Sequence, residues 1–402
     1  MTIAPWLSIV GIGEDGLAGL SPPARALIDT AEILVGGARH LALVPDTGIP
    51  RWSWKTPLRL TVDDILAARG QRVCALASGD PMWFGIGVTL ARHVPTRECT
   101  IIPHLSAFTL AAARLGWPIA DCACLTVHGR SIDLLAPHLA PRQRLLVLSE
   151  NADTPAQVAR WLVSRGWGPS RLSVLARMGG SNEAIASGSA ESWSAPRGDD
   201  LNTLAIDCVA GPEARAFTTA PGLPDDAFIH DGQLTKREIR AATLSALAPL
   251  PGELLWDVGA GCGSIAIEWM RAAPRARAVA IERDPARVDF IARNAASLGT
   301  PRLKIVAEAA PASLAGLERP DAIFIGGGIS DEALLTACWN ALAPRGRLVA
   351  NVVTIEGEAM LAAWHARHGG VMSRIAVSRL ERVGPYHGWR ALMPITQWSV
   401  VK

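Results

Sequence analysis

Twice in this chain an apolar, strand-like run opens into a glycine turn and then a helical pattern. Trp6–Ile12 runs into Gly11-Ile12-Gly13-Glu14-Asp15-Gly16, and Leu254–Val258 runs into Gly259-Ala260-Gly261-Cys262-Gly263-Ser264. Glycines at a strand end let the backbone take positive φ and approach a ligand closely. In open α/β sheets, ligands bind beyond the carboxyl ends of the strands. The chain has 402 residues, and an ordinary domain takes roughly 100–200. Two such units therefore predict two α/β domains, each with its own ligand site.

A seam rich in Gly, Pro, Thr and Asp spans residues 211–231, so the domain boundary is expected near 215, giving domains 1–215 and 216–402. Before it, strands are predicted at 6–12, 72–77, 99–102, 125–128, 144–149, 171–176 and 203–207. Helices are predicted after Ser21-Pro22, over 105–115 and over 154–165. The Gly-Trp-Pro stop at 116–118 divides this half into two α/β subdomains with a cleft between them. After the seam, strands at 254–258, 277–281, 302–306, 321–325 and 346–352 alternate with helices at 263–273, 285–298, 330–342 and 355–368, the pattern of a doubly wound parallel sheet. Thr235-Lys236-Arg237-Glu238 reads as a capping box for a helix to about 248. Two last strands, 372–379 and 391–400, are expected to pair antiparallel at one edge.

Composition narrows the function. Residues 1–215 carry 19 basic and 19 acidic groups and residues 216–402 carry 20 and 18, for a net charge of +2. Neither half is a basic module, so no nucleic-acid partner is expected. Hydrophobic residues make up 49%, ample for full cores, yet no apolar run reaches the ~18 residues that span a bilayer. The opening MTIAPWLSIVGIGEDG lacks a basic stretch and reads as a first strand rather than a signal peptide. The seven cysteines include no C-x-x-C pair and are read as reduced thiols. No metal site is expected.

The second turn is not the dinucleotide fingerprint, because Ser264 stands where G-x-G-x-x-G needs glycine. Asp257, just before the turn, would repel a pyrophosphate but suits a cationic ligand. Glu282, at the end of the next strand, is placed to accept hydrogen bonds from two ribose hydroxyls. With this turn and acid, residues 235–352 resemble class I S-adenosylmethionine-dependent methyltransferases. The resemblance implies that Gly259, Ala260, Gly261, Cys262 and Gly263 cradle the methionine end and Glu282 takes the ribose. Ala310 would then lie beside the adenine.

In the first half, Ser78-Gly79-Asp80-Pro81 and Pro103-His104-Leu105-Ser106-Ala107 join the loop at 11–16 on one predicted rim. The trio resembles class III methyltransferases, the fold of tetrapyrrole-modifying enzymes. It implies that Gly79, Asp80, Pro81, Ser106 and Ala107 hold S-adenosylmethionine, with the Gly11–Gly16 loop on the substrate side. His104, where that family has glycine, is read as facing solvent. Val127-His128-Gly129-Arg130 offers His128 and Arg130 to an anionic substrate, and the turn at 177–183 is placed beside the cofactor.

Class III ahead of class I resembles the bifunctional, decarboxylating precorrin-6B methyltransferase family of the aerobic cobalamin pathway. Further matches are Pro221–Asp226, Leu234–Glu238 and Pro394–Trp398. The resemblance implies two S-adenosylmethionine sites, a small-molecule tetrapyrrole substrate and a cytoplasmic homo-oligomer. It also implies methylation of carbons 5 and 15 with loss of the ring C carboxyl. Thr235, Lys236, His387 and Arg390 are the expected anchors in the second domain, Thr235 also serving the cofactor. The alternatives are a double methyltransferase of another anionic metabolite and a non-enzymatic S-adenosylmethionine sensor.

Overall fold

A computed structural model describes residues 5–402. The chain divides into two compact units. One comprises the residues up to Arg130 together with Ala140–Arg215; the other comprises Ser131–Leu139 with Ala216–Lys402. A short piece of the first half is thus counted with the second unit, which a single boundary near 215 does not capture.

The first unit holds two sheets. Strands β1 (Leu7–Ile12), β2 (Ile33–Gly36), β3 (Arg51–Ser53), β4 (Val73–Ser78) and β5 (Cys99–Ile102) form a parallel sheet in the order β3-β2-β4-β1-β5. Val10, Ile12, Leu34, Cys74 and Leu76 bury one face. Leu7, Ile9, Ile33, Val35, Val73 and Ala75 bury the other. Being covered on both faces is what turns these strands into continuous apolar runs. Strands β6 (Cys122–Thr126), β7 (Arg144–Leu148), β8 (Arg171–Ala176), β9 (Ala184–Ser189) and β10 (Asn202–Asp207) form the second sheet, β6-β7-β10-β8-β9. Only β6 and β7 pair in parallel there.

The strand expected at 125–128 runs instead over Cys122–Thr126, so His128 lies beyond its end. Strand β9 was not expected: a mostly exposed edge strand, AIASGS, carries no apolar alternation to betray it. Ser21 caps the helix Pro22–Asp29 with its side chain, as its Pro-led start suggests.

The second unit is built on β11 (Leu254–Val258), β12 (Arg277–Ile281), β13 (Lys304–Val306), β14 (Ala322–Ile325) and β15 (Arg347–Val352). It continues with β16 (Val371–Ile375), β17 (Ser378–Val383), β18 (Tyr386–Ala391) and β19 (Ile395–Val401). Its sheet order is β13-β12-β11-β14-β15-β19-β16, with β19 antiparallel to both neighbours. The expected run 372–379 is broken at 376–377: its first part joins this edge and its end enters a separate hairpin, β17-β18. The run 391–400 likewise yields only β19 to the sheet. The order reverses between β11 and β14, which opens a crevice at their carboxyl ends. No helix among the described residues is long and apolar enough to cross a membrane.

Candidate functional site

In the first unit the three motifs meet on the rim of the parallel sheet, at the ends of β1, β4 and β5. Their contact is close. A Cβ on Gly11 would overlap the Gly79 carbonyl oxygen and lie 2.6 Å from the His104 amide, both backbone atoms that cannot swing away. The His104 amide donates to that same Gly79 carbonyl. Ser106 caps the helix Ala107–Leu115, its hydroxyl accepting from the Thr109 amide at 3.1 Å. Asp80 accepts from the Met82 amide at 2.8 Å and so shapes its own turn.

These loops border a cavity of about 570 Å³. Gly79, Asp80, Ser106, Ala107, His128 and Arg130 all line it, brought together from both subdomains. Pro81 does not line it; its ring is buried under the turn. His104 does not face solvent. Its side chain is 14% exposed and its Nε2 lies 3.2 Å from Asp15, so it fastens the first glycine loop. His128 is exposed and stands 3.6 Å from Glu150.

The same cavity holds a polar cluster that sequence reasoning missed. Glu14 accepts from Arg39 and, at 3.2 Å, from Arg177, which also donates to Asp199 at 2.5 Å. Arg39 and Ser78 both contact His40 Nε2. A guanidinium only donates, so that nitrogen accepts and the neutral ring carries its proton on Nδ1, a buried atom with no partner. Burial first, then the Arg39 charge, push the His40 pKa down to about 4. The signal was present: Gly36-Gly37-Ala38-Arg39-His40 is a further glycine turn at the end of a parallel strand, β2.

In the second unit Gly259, Gly261 and Gly263 take φ of 72°, 59° and 81°. A Cβ at Gly259 would sit 3.0 Å from the Gly327 amide nitrogen across the crevice. Glu282 accepts from the Gly261 amide at 2.9 Å and the Asp284 amide at 3.0 Å, so one carboxylate ties the turn to the end of β12. Asp257 is 1% exposed. One of its oxygens accepts from the Ala266 amide at 3.0 Å and the other, Oδ1, has no partner. Burial raises its pKa to about 7, with the neighbouring Glu282 adding to the rise. A turn built on three positive-φ glycines, flanked by a buried carboxylate with one oxygen unpartnered, fits the cationic end of S-adenosylmethionine.

Among these residues Cys262 contributes backbone only. Its thiol is packed in the core and its carbonyl accepts from Asn294 at 3.0 Å. Ala310 is partly buried against the core that carries β11 and β14.

The expected capping box does not form. Lys236, not Thr235, is the N-cap of the helix Arg237–Leu247, with no side-chain cap. The reason is a stronger claim on the surrounding groups. Arg240 is fully buried; it binds the Thr235 and Leu223 carbonyls, Glu268 at 2.5 Å and Asp225 at 3.1 Å. Glu238 turns outward to Arg379 of β17 at 2.7 Å. Glu268 also accepts from the Leu223 amide at 3.0 Å, which holds the Pro221–Asp226 loop.

His387 and Arg390 are not brought together. They lie three residues apart on β18, hence on opposite faces of the hairpin, and Arg390 pairs with Glu381 at 3.1 Å. The crevice has a further wall that the motifs did not announce: Gly326-Gly327-Gly328, directly after β14.

A family model described as "Tetrapyrrole (Corrin/Porphyrin) Methylases" matches residues 7–193. A second, "Precorrin methyltransferase domain", matches residues 226–402. A Sinorhizobium sp. protein named precorrin-6Y C(5,15)-methyltransferase (decarboxylating) is 48% identical over 402 residues, covering 100% of this chain and 97% of its own. A Salmonella typhimurium cobalt-precorrin-7 C(5)-methyltransferase is 32% identical over 179 residues, 44% of this chain and 88% of its own. A Pyrobaculum aerophilum protein named probable cobalt-precorrin-6B C(15)-methyltransferase (decarboxylating) is 37% identical over 183 residues, 44% of this chain and 93% of its own. With two strand-end glycine sites in one chain and a relative matched along its whole length, the chain belongs to the precorrin-6Y C(5,15)-methyltransferase (decarboxylating) family.

Proposed function

We propose that this chain methylates precorrin-6B at carbon 5 in its first unit and at carbon 15 in its second, and that the second unit also removes the ring C acetate carboxyl. The observation that carries the reading is the pair of unlike sites. One is a cavity lined by aromatic, arginine and carboxylate side chains, and the other is a glycine-walled crevice edged by buried carboxylates. The single-site relatives named for carbon 5 and for carbon 15 each match 44% of the chain, about half.

S-adenosylmethionine, when bound at each site, supplies an electrophilic methyl group. The residues of the chain bind and orient. A reduced tetrapyrrole meso carbon is enamine-like and already nucleophilic, so positioning matters more than a strong base. Arg130 lines the first cavity and can receive a carboxylate of the substrate, while Arg39 and Arg177, paired with Glu14 and Asp199, fix the wall of the cavity. Asp257 and Glu282 set negative charge around the second turn, where a sulfonium is favoured. In the decarboxylation, the bond between the acetate CH₂ and its carboxyl breaks. Carbon dioxide leaves, the electron pair enters the conjugated macrocycle and a proton is taken up.

The test is incubation of the full chain with precorrin-6B and S-adenosylmethionine, read by mass spectrometry. Gain of two methyls with loss of one carbon dioxide is expected. Two methyls without that loss would overturn the decarboxylation, and no methyl on precorrin-6B with methylation of another anionic metabolite would point to a different substrate. Binding without any mass change would point to a sensor.

A further inference from the structure

The turn Asp80–Gly85 projects three large side chains that the fold does not bury. Met82, Trp83 and Phe84 are 45%, 38% and 44% exposed, and Trp83 and Phe84 line the first cavity. The backbone makes this projection at a cost. Phe84 takes φ 58°, a conformation that a bulky L-residue adopts only when its surroundings force it. Two contacts force it: the Trp83 amide donates to the Asp80 carbonyl at 3.2 Å, and the chain folds back so tightly that a Cβ on Gly85 would lie 2.6 Å from the Pro81 carbonyl oxygen. Of the six non-glycine residues with positive φ among the described residues, two line this cavity, Phe84 and Arg177. Strain gathered at a site in this way accompanies ligand clamps.

The two rings are set as a shelf. Trp83 and Phe84 pack on the buried Phe108, with centroids at 4.9 and 6.0 Å, and the Arg130 guanidinium stands 5.5 Å from the Phe84 centroid. An exposed aromatic pair with a guanidinium over one of its rings offers apolar surface and positive charge together, which matches a flat conjugated ring with carboxylates on its rim. S-adenosylmethionine carries a single carboxylate, at the far end from its adenine, whereas the acceptor carries several around the flat ring itself, so the shelf suits the acceptor better than the donor.

We propose that Phe84, with Trp83 beside it, is the positioning platform on which the tetrapyrrole lies for carbon-5 methylation, Arg130 holding a peripheral carboxylate. This rests on the functional reading above.

The test uses the full chain and two variants, Phe84→Gly and Phe84→Tyr. Glycine accepts φ 58° without strain, so F84G keeps the fold, and its melting temperature is expected to be no lower than that of the parent. One base-sized stacking contact corresponds to about a tenfold change in binding. F84G should therefore raise KM for the carbon-5 step by about tenfold. Affinity for S-adenosylmethionine, carbon-15 methylation and decarboxylation should all be unchanged, and F84Y should restore the parent KM. Unaltered KM in F84G overturns the platform while leaving the functional reading intact. So does loss of donor affinity with KM unchanged, which would make the shelf an adenine site, and so does failure of F84Y to restore KM. A parent enzyme that adds no methyl at carbon 5 overturns the functional reading itself, and the platform with it.

Discussion

Two carboxylates in the second unit behave differently although they flank one turn. Glu282 has both oxygens engaged by backbone amides, yet each oxygen keeps capacity for another donor. If it takes two ribose hydroxyls, each charge-assisted bond contributes about 1.5–3 kcal/mol. Glu282→Ala should then weaken donor binding at this site by roughly a hundred- to ten-thousandfold in calorimetry. Unchanged affinity would remove the ribose assignment. Asp257 has a folded pKa raised from 3.8 to about 7. The folded state therefore holds this proton more tightly than the unfolded one. The stability this confers is full below about pH 4 and is lost as pH rises through about 7. A bound cation favours the ionised carboxylate, so donor binding near neutral pH should release a proton. Calorimetry in two buffers of different ionisation enthalpy would show it: the parent gives a buffer-dependent heat, and Asp257→Asn a smaller dependence. Equal heats for the parent in both buffers would sink the linkage.

At the scale of elements, the helices Arg237–Leu247 and Ser264–Ala272 are locked by one buried ion pair, Arg240 with Glu268. The same carboxylate holds the Gly222 and Leu223 amides. Removing one partner of such a pair leaves an uncompensated buried charge, at about 3–5 kcal/mol. Glu268→Ala is expected to lower stability by that amount in urea unfolding followed through the second unit. It should also free the Pro221–Asp226 loop to proteolysis. Glu268→Gln, which keeps an acceptor for Arg240, should cost less. In the first unit the three rim loops close on each other through Gly11, whose missing Cβ lets the Gly79 and His104 backbones meet. That meeting is an element-level fact, since it joins the ends of three different strands.

For the whole molecule, the two sites draw on different sheets and different cores. Asp80→Ala should open the turn that carries the first site and reduce carbon-5 methylation. Carbon-15 methylation and carbon dioxide release should persist at the parent rate, as measured by product mass. Loss of all three from a folded protein would mean that the sites are not independent. Ser131–Leu139 is counted with the second unit. Dissection near 215 therefore removes this piece from its packing, and point variants in the full chain are the cleaner probe.

Local signals carried much of this. The alternation of strand and helix, and the glycine turns at 11–16, 79–81 and 259–263, follow from apolar period and backbone freedom, which belong to single segments. The parallel pairing of β11 to β15 and the antiparallel edge were legible for the same reason, whereas the strand order was not. Contacts between distant segments were not. Thr235 reads as a cap, but its carbonyl is taken by Arg240, which is held buried by Asp225 and Glu268, 15 and 28 residues from Arg240 in the chain. His104 reads as solvated until Asp15, 89 residues earlier, folds against it. His387 and Arg390 look like neighbours in the chain, and the pleat of one strand sets them on opposite faces. Glycine turns mark where Glu14, Arg39 and Arg177 lie, but nothing local says that the three meet, and the shelf at Phe84 has no local pattern. Their members are ordinary in sequence, and only burial and long-range pairing, which depend on what the rest of the chain brings near, give them a common site.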